Sequence, residues 1–155
     1  MMNSELITWL LDGQPWTEYR TRIDLLDQPA DDREVVRSYQ ATLAHPQIQR
    51  LITELSACPG QVLKSHKKSG HFLHKLGFLA DIGLSAADSG IHKITQSILD
   101  HQSSEGPFQV LVNINPRYGG TGEDQFAWML CDAPLVTYAM VKFGLGETPE
   151  IQASL

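Results

Sequence analysis

Apolar residues recur at intervals of three and four along most of this chain of 155 residues, whereas alternation with a period of two extends over only a few positions. This pattern predicts an all-α fold. The predicted helices begin at Ser4, at Pro15, at Asp31 or Asp32, near Ile48, near residue 69, after Asp88, near Asp124 and at Asp132. Residues 103–122 are predicted to be irregular, apart from a short β-type run at 110–114.

An internal repeat is the strongest sign of organisation in the chain. A shift of 61 positions places the Gly-Leu pair at Gly83 on the one at Gly144, and His71 on Asp132. A fainter earlier copy has Val36, Tyr39 and Leu43 in the positions of the apolar stripe. The recurring unit is a helix, a Gly-Leu turn and a second helix, which is typical of a helical array. The alternative is a coincidence between two amphipathic helices that both end in glycine.

The repeat predicts antiparallel helical hairpins that stack within a single domain, 1–155. The leading ends of the like helices, around His71 and Asp132, would then meet in one shared recess. The run Thr148-Pro149-Glu150 is a helix start signal, yet only five residues follow it. We therefore expect the N-terminal part of a longer array, or an array that another chain completes.

Composition narrows the class of protein. The 18 acidic and 12 basic residues give a net charge of -6, which disfavours a nucleic-acid binder. The longest uncharged apolar stretch, 133–141, is shorter than the roughly 20 residues of a membrane-spanning helix. A chain of this length needs no disulfide, so Cys58 and Cys131 suit a reducing, cytoplasmic location.

One motif connects this pattern to a known family. Residues 102–108, QSSEGPF, have the form Gln-x-x-x-Gly-x-aromatic and directly follow a predicted amphipathic helix. Together with the hairpin repeat over about residues 40–155, this resembles the Gln-Trp motif of the squalene cyclase and protein prenyltransferase superfamily. The stretches SGHFLHKLGFLADIGL and GGTGEDQFAWMLCDAPLVTYAM resemble small prokaryotic proteins with prenyltransferase and squalene oxidase type repeats.

The resemblance implies part of an α/α toroid that binds an apolar, isoprenoid-type ligand between its inner helices. The motif carries Phe108 where the family has tryptophan, and we include Phe108 and Trp128 among the ligand-binding candidates. Aromatic residues at helical spacing are also typical of an ordinary core. Arg117 and Tyr118 lie in the glycine-rich loop NINPRYGGTGED and could meet an anionic group such as a diphosphate. A plain connection between hairpins is the alternative for that loop.

The catalytic groups of the family do not carry over. The acidic Asp-x-Asp-Asp run of squalene-hopene type cyclases is missing from this sequence. The prenyltransferases bind zinc through an aspartate and a cysteine two residues later, whereas Cys131 and Asp132 are adjacent and in the opposite order. Whether the protein is a prenyltransferase-like or cyclase-like enzyme therefore stays open.

A separate hypothesis places metal or acid–base chemistry at the leading ends of the repeat helices. His66, His71, His74 and Cys131 are the candidate zinc ligands, while Asp132, His71 and His74 are the candidate catalytic residues. The alternatives are that Asp132 caps its helix, that Cys131 is a small core residue and that the histidines are solvated.

Three functions follow from these patterns. The first is a domain that binds an isoprenoid-type ligand, the second a non-catalytic helical-repeat scaffold for a protein partner or for self-association, and the third a metal-dependent enzyme. A cavity lined by aromatic residues favours the first, and a continuous apolar outer groove favours the second. Bound metal would favour the third.

Overall fold

The computed structural model describes residues 4–57, 60–64 and 70–155. Within these ranges the protein is mostly helical, as the spacing predicted, with eight α-helices and a small two-stranded sheet. The helices are α1 (Ser4–Leu11), α2 (Pro15–Asp24), α3 (Arg33–Ala44), α4 (Pro46–Leu55), α5 (Phe72–Asp81), α6 (Ser89–Leu99), α7 (Ala133–Met140) and α8 (Pro149–Ser154). The strands are β1 (Val110–Val112) and β2 (Gln125–Ala127). The backbone forms two compact units, Met1–Arg50 and Leu51–Leu155.

In the first unit, α2 packs against α3 through aromatic rings. The ring centroids of Tyr19 and Tyr39 are 5.0 Å apart. Asp32 caps α3 as expected, because its Oδ1 accepts hydrogen bonds from the backbone N–H of Glu34 at 2.8 Å and of Val35 at 3.4 Å. The cap thus fixes where α3 begins, and the ring contact holds α3 against α2.

The buried face of α3 lies one position away from the predicted stripe. Val36 is 45% exposed, whereas Val35, Ser38 and Thr42 are buried. The Ser38 hydroxyl donates to the Val35 carbonyl at 2.9 Å, and the Thr42 hydroxyl donates to the Ser38 carbonyl at the same distance. Since both hydroxyls are satisfied within the helix, their burial carries little cost. Of the apolar residues predicted for this helix, Val35 is buried and Tyr39 contacts Tyr19, but Val36 was wrongly placed in the stripe.

The second unit is organised by α5 and α7, which pack side by side and run in the same direction. The helices approach each other closely at Gly77, where an added Cβ atom would lie 3.7 Å from Leu135 Cδ1. One turn later, the Tyr138 hydroxyl donates to Asp81 Oδ1 at 2.5 Å. The contacting residues are 58 and 57 positions apart. The shift of 61 positions in the sequence repeat therefore differs by about one helical turn from the offset at which the two helices pack.

Each of these two helices begins a similar hairpin. Both end at a glycine with a left-handed backbone, Gly83 at φ +87° and Gly144 at φ +92°. Gly144 lies in a π-helical turn, Val141–Leu145, that continues α7. The shorter helices α6 and α8 follow, and the predicted α6 stripe of Ile91, Ile94 and Ile98 is fully buried.

The helix predicted near Asp124 is wrong. Residues Gln125–Ala127 form β2, which pairs antiparallel with β1 so that Leu111 faces Phe126. Phe126, Trp128 and Leu130 recur every second position, but Phe126, Met129 and Leu130 also fit helical spacing, so the short run was ambiguous. On the other edge of β1, the Leu63 N–H donates to the Leu111 carbonyl at 2.7 Å.

The Gln-x-x-x-Gly-x-aromatic segment connects the end of α6 to α8. The Gln102 side-chain amide donates to the Gly106 carbonyl and to the Glu150 carbonyl, each at 2.6 Å. Gly106 has φ +109°, and a Cβ there would lie 2.0 Å from the Ala153 carbonyl oxygen. Phe108 is fully buried in the core. The motif is therefore a structural joint between the two hairpins.

We expect Gly106→Ala to destabilise the protein by about 3 kcal/mol or more. Left-handed backbone costs a non-glycine residue about 1–2 kcal/mol, and the new Cβ would also displace the backbone of α8. Urea unfolding followed by circular dichroism measures the loss. Gly70→Ala is the matched control, since a Cβ at Gly70 meets no atom of the described residues within 4 Å, and a change within about 0.5 kcal/mol is expected there. Equal losses in both variants would contradict the close approach of Gly106 to α8.

Candidate functional site

One cavity of the second unit is an open groove of about 430 Å³ along α7, which we call the α7 groove. Its lining residues are Pro107, Trp128, Leu130, Ala133, Pro134, Thr137, Tyr138, Val141, Ser154 and Leu155. Pro134, Tyr138 and Val141 are spaced by four and three, so they form one stripe along the outer side of α7. The opposite side of the same helix, which includes Val136 and Met140, is buried.

The α7 groove exposes large apolar side chains. Leu130 is 85% exposed and Leu155 81%, while Tyr138 and Val141 are exposed by 44% and 42%. Exposed apolar side chains that are contiguous in this way mark ligand or partner sites more often than isolated ones do.

The few polar groups of the groove lie at its edges. The Trp128 indole N–H donates to Glu105 Oε2 at 2.9 Å. The Thr137 and Ser154 hydroxyls are 3.2 Å apart. An apolar trough with a few polar groups is the usual composition of a small-molecule site.

Sequence reasoning found only part of this groove. Trp128 was predicted to bind ligand and does line it. Its neighbours in the groove, Pro134 and Val141, were missed, although α7 (APLVTYAM) has apolar residues all round. A helix with apolar residues on every side either is fully buried or leaves an apolar face uncovered. That signal could have indicated the groove.

The other predicted ligand-binding residues lie elsewhere. Phe108 is fully buried, so its side chain does not line the α7 groove. Arg117 and Tyr118 lie on a 3₁₀ turn, Pro116–Tyr118, within the glycine-rich loop. Tyr118 is 77% exposed. It lines a second cavity, and Arg117 is not part of that lining.

We call this second cavity the loop cavity, since residues 113–122 of the glycine-rich loop form much of it. Its volume is about 600 Å³. The lining residues are Leu63, Lys64, Asn113, Ile114, Asn115, Pro116, Tyr118, Gly122 and Met129. Trp128 and Leu130 line the α7 groove, whereas Met129 between them lines the loop cavity. One short segment therefore borders both cavities.

His71 lies at the start of α5, where its side chain forms the helix cap. Its Nδ1 accepts a hydrogen bond from the Leu73 N–H at 3.3 Å, and its ring lies 4.6 Å from that of Phe72. A ring nitrogen that accepts from the backbone carries no proton, so the neutral ring holds its proton on the buried Nε2. His74, one turn later, is exposed.

Asp132 and Cys131 occupy the start of α7. Asp132 is 1% exposed, and its carbonyl accepts hydrogen bonds from the N–H groups of Leu135 and Val136 at 3.1 Å. Its side chain forms no capping bond, and Cys131 is exposed, so neither alternative for these two residues holds. Desolvation, and next the charge of the Asp132 carboxylate, raises the pKa of the Cys131 thiol. A raised pKa disfavours the thiolate that nucleophilic or zinc chemistry requires.

The leading ends of α5 and α7 lie at the same end of the helix pair, because the two helices are parallel. Along the helix axis, the packed register places His71 about one turn, or roughly 5 Å, before Asp132. No group of three His, Cys, Asp or Glu residues suited to a metal occurs among the residues that the structure describes. His66 lies outside the described residues, so the zinc hypothesis stays a prediction.

Comparison with protein-family models, with curated proteins and with solved structures returned no match for this chain. Among the helices in the described ranges, none combines the length and apolarity that crossing a membrane requires. The argument for function therefore depends on the two cavities and on the residues at the helix starts.

We expect the Cys131 thiol to react slowly with iodoacetamide at pH 8. Its raised pKa moves the midpoint of the rate-against-pH curve above the usual value of about 8.5. Asp132→Asn removes the neighbouring negative charge, so the midpoint should fall and the rate at pH 8 should rise. Mass spectrometry of a Cys58→Ser background measures alkylation at Cys131 alone.

Asp132→Glu is the matched control for this experiment, because it keeps the charge beside the thiol. Its midpoint should stay closer to that of the parent protein than to that of Asp132→Asn. An unchanged midpoint in Asp132→Asn would show that the carboxylate does not act on the thiol.

Proposed function

We propose that the second unit binds an apolar, isoprenoid-type ligand in the α7 groove. The observation that carries the proposal is the continuous apolar stripe of Pro134, Tyr138 and Val141, with Trp128 on the neighbouring wall. A volume of about 430 Å³ falls in the range of small-molecule sites. The groove offers few hydrogen-bond partners, which suits a hydrocarbon chain better than a polar metabolite.

The proposal includes the fold family. The two hairpins, α5 with α6 and α7 with α8, would be successive repeats of an α/α toroid of the squalene cyclase and prenyltransferase type. Three features support this: the parallel packing of α5 on α7, the matching glycine ends, and the bridge from Gln102 to Glu150. In such an array each repeat buries an apolar face against the next one.

Within this proposal, Asp132 with His71 would be the site of any proton transfer. Asp132 is a buried carboxylate, and the next residue, Ala133, lines the α7 groove. His71 begins the neighbouring parallel helix and holds a defined tautomer through its cap. A carboxylate and an imidazole at adjacent helix starts are suited to acid–base chemistry.

A second candidate function is a helical-repeat scaffold for a protein partner. The specific observation is that the α7 groove is open at its rim, where Leu130 and Leu155 are more than four-fifths exposed. A helix of a partner could cover these side chains, because amphipathic helices bind apolar grooves in this way.

Farnesol titration tests the leading function. In a Trp9→Phe, Trp16→Phe background, Trp128 is the remaining tryptophan and its fluorescence reports the groove. We expect saturable quenching by farnesol. Val141→Asp should weaken binding by about tenfold or more, because a carboxylate would be desolvated under the ligand.

Val36→Asp is the control, since Val36 is exposed to a similar degree, 45% against 42%, but lies on α3 in the first unit. It should bind farnesol as the parent protein does. Equal loss in both variants, or no saturable quenching in the parent protein, would contradict the ligand proposal. Native mass spectrometry of the untagged protein then distinguishes the two candidate functions. A polypeptide of defined mass that stays bound to the parent protein and is lost in Val141→Asp would favour the scaffold.

A further inference from the structure

The loop cavity is a second site whose chemistry differs from that of the α7 groove. We propose that it binds a small organic carboxylate with an apolar body, with the carboxylate on Lys64 and Asn115. The α7 groove is lined almost entirely by apolar side chains, whereas Lys64, Asn113 and Asn115 contribute polar groups to the loop cavity. The two cavities have no lining residue in common, so this inference does not rest on the isoprenoid proposal.

Hydrogen-bond donors dominate the polar side of the loop cavity. Lys64 forms no ion pair with any acidic residue in the described part of the chain, which leaves its ammonium group available. Asn115 Oδ1 accepts from the Arg117 N–H at 2.9 Å, so the Asn115 side chain has its NH₂ group left to offer. A cation and an amide donor that line one cavity are complementary to a carboxylate.

The remaining wall of the loop cavity is apolar. Leu63, Ile114, Pro116 and Met129 line it, together with the ring of Tyr118. An aryl or alkyl group can pack on this surface while its acid group reaches the donors. A free inorganic anion would leave that wall uncovered, which is why we assign an amphipathic acid to this site.

The loop that forms the cavity is held by its own hydrogen bonds. Asn113 Nδ2 donates to Asp124 Oδ1 at 2.7 Å, which joins the two ends of the loop. The Gly122 N–H donates to the Ile114 carbonyl at 2.9 Å, and the Asn113 N–H donates to the Leu63 carbonyl at 3.0 Å. These bonds hold the loop that carries Asn115 before a ligand arrives, and this reduces the ordering cost of binding.

The loop carries two acidic residues, Glu123 and Asp124; neither lines the loop cavity, and the bond from Asn113 engages the Asp124 carboxylate. The chain as a whole carries a net charge of -6 and so repels anions in general. Preference for an anion over its neutral analogue would therefore reflect the local donors.

The test compares 4-phenylbutyrate with 4-phenylbutan-1-ol in titrations of ¹⁵N-labelled protein followed by NMR. We expect the carboxylate to shift the amide signals of Ile114, Asn115 and Met129, and to bind about five- to tenfold more tightly than the alcohol. Lys64→Met should remove this preference, and Lys64→Arg should retain it. Because the Lys64 side chain is exposed, neither substitution should unfold the protein.

Lys93→Met is the matched control, since Lys93 is an exposed lysine on α6 that is not part of the loop cavity. It should keep the full preference for the carboxylate. Equal affinities for the acid and the alcohol, an unchanged preference in Lys64→Met, or shifts centred on Leu130 and Val141 would each overturn the proposal.

Discussion

The parallel contact between α5 and α7 is the constraint on which the rest of the second unit depends. The small side of α5 at Gly77 admits Leu135, and the Tyr138 hydroxyl joins Asp81 one turn later. Leu135 and Tyr138 of α7 form this contact and Val136 is buried, whereas Pro134 and Val141 remain at the surface and line the α7 groove. The α7 groove thus includes a side of α7 that the contact with α5 leaves uncovered. The same contact places both helix starts at one end, where the candidate acid–base residues lie.

The joint between the hairpins uses polar bonds and a close backbone approach. A single side-chain amide, that of Gln102, supplies donors to two carbonyl groups in different elements. Gly106 brings the loop against α8 at a distance that no other residue would allow. This geometry accounts for the pattern Gln-x-x-x-Gly-x-aromatic in physical terms: the glutamine bridges, the glycine permits contact and Phe108 fills the core.

The sequence was informative wherever a local rule decides the structure. The cap at Asp32, the glycine ends of the hairpins and the stripe of α6 all follow from neighbours within a few positions. The prediction failed at β2, because three residues are too few to distinguish the period of a helix from that of a strand. It also failed in part on α3, where hydroxyl groups that bond within the helix occupy buried positions expected to be apolar. The apolar composition of α7 could have indicated an uncovered face, but neither the side of α7 that stays open nor the availability of Lys64 could be predicted, because both depend on which distant elements are adjacent.

Trp128 and Leu130 line the α7 groove, and Met129 between them lines the loop cavity. A ligand that displaced this segment from one side would change the shape of the cavity on the other side. Thermodynamic linkage would then require each ligand to change the affinity of the other by the same factor. The order of these three residues thus supplies a physical route for coupling between two chemically distinct sites.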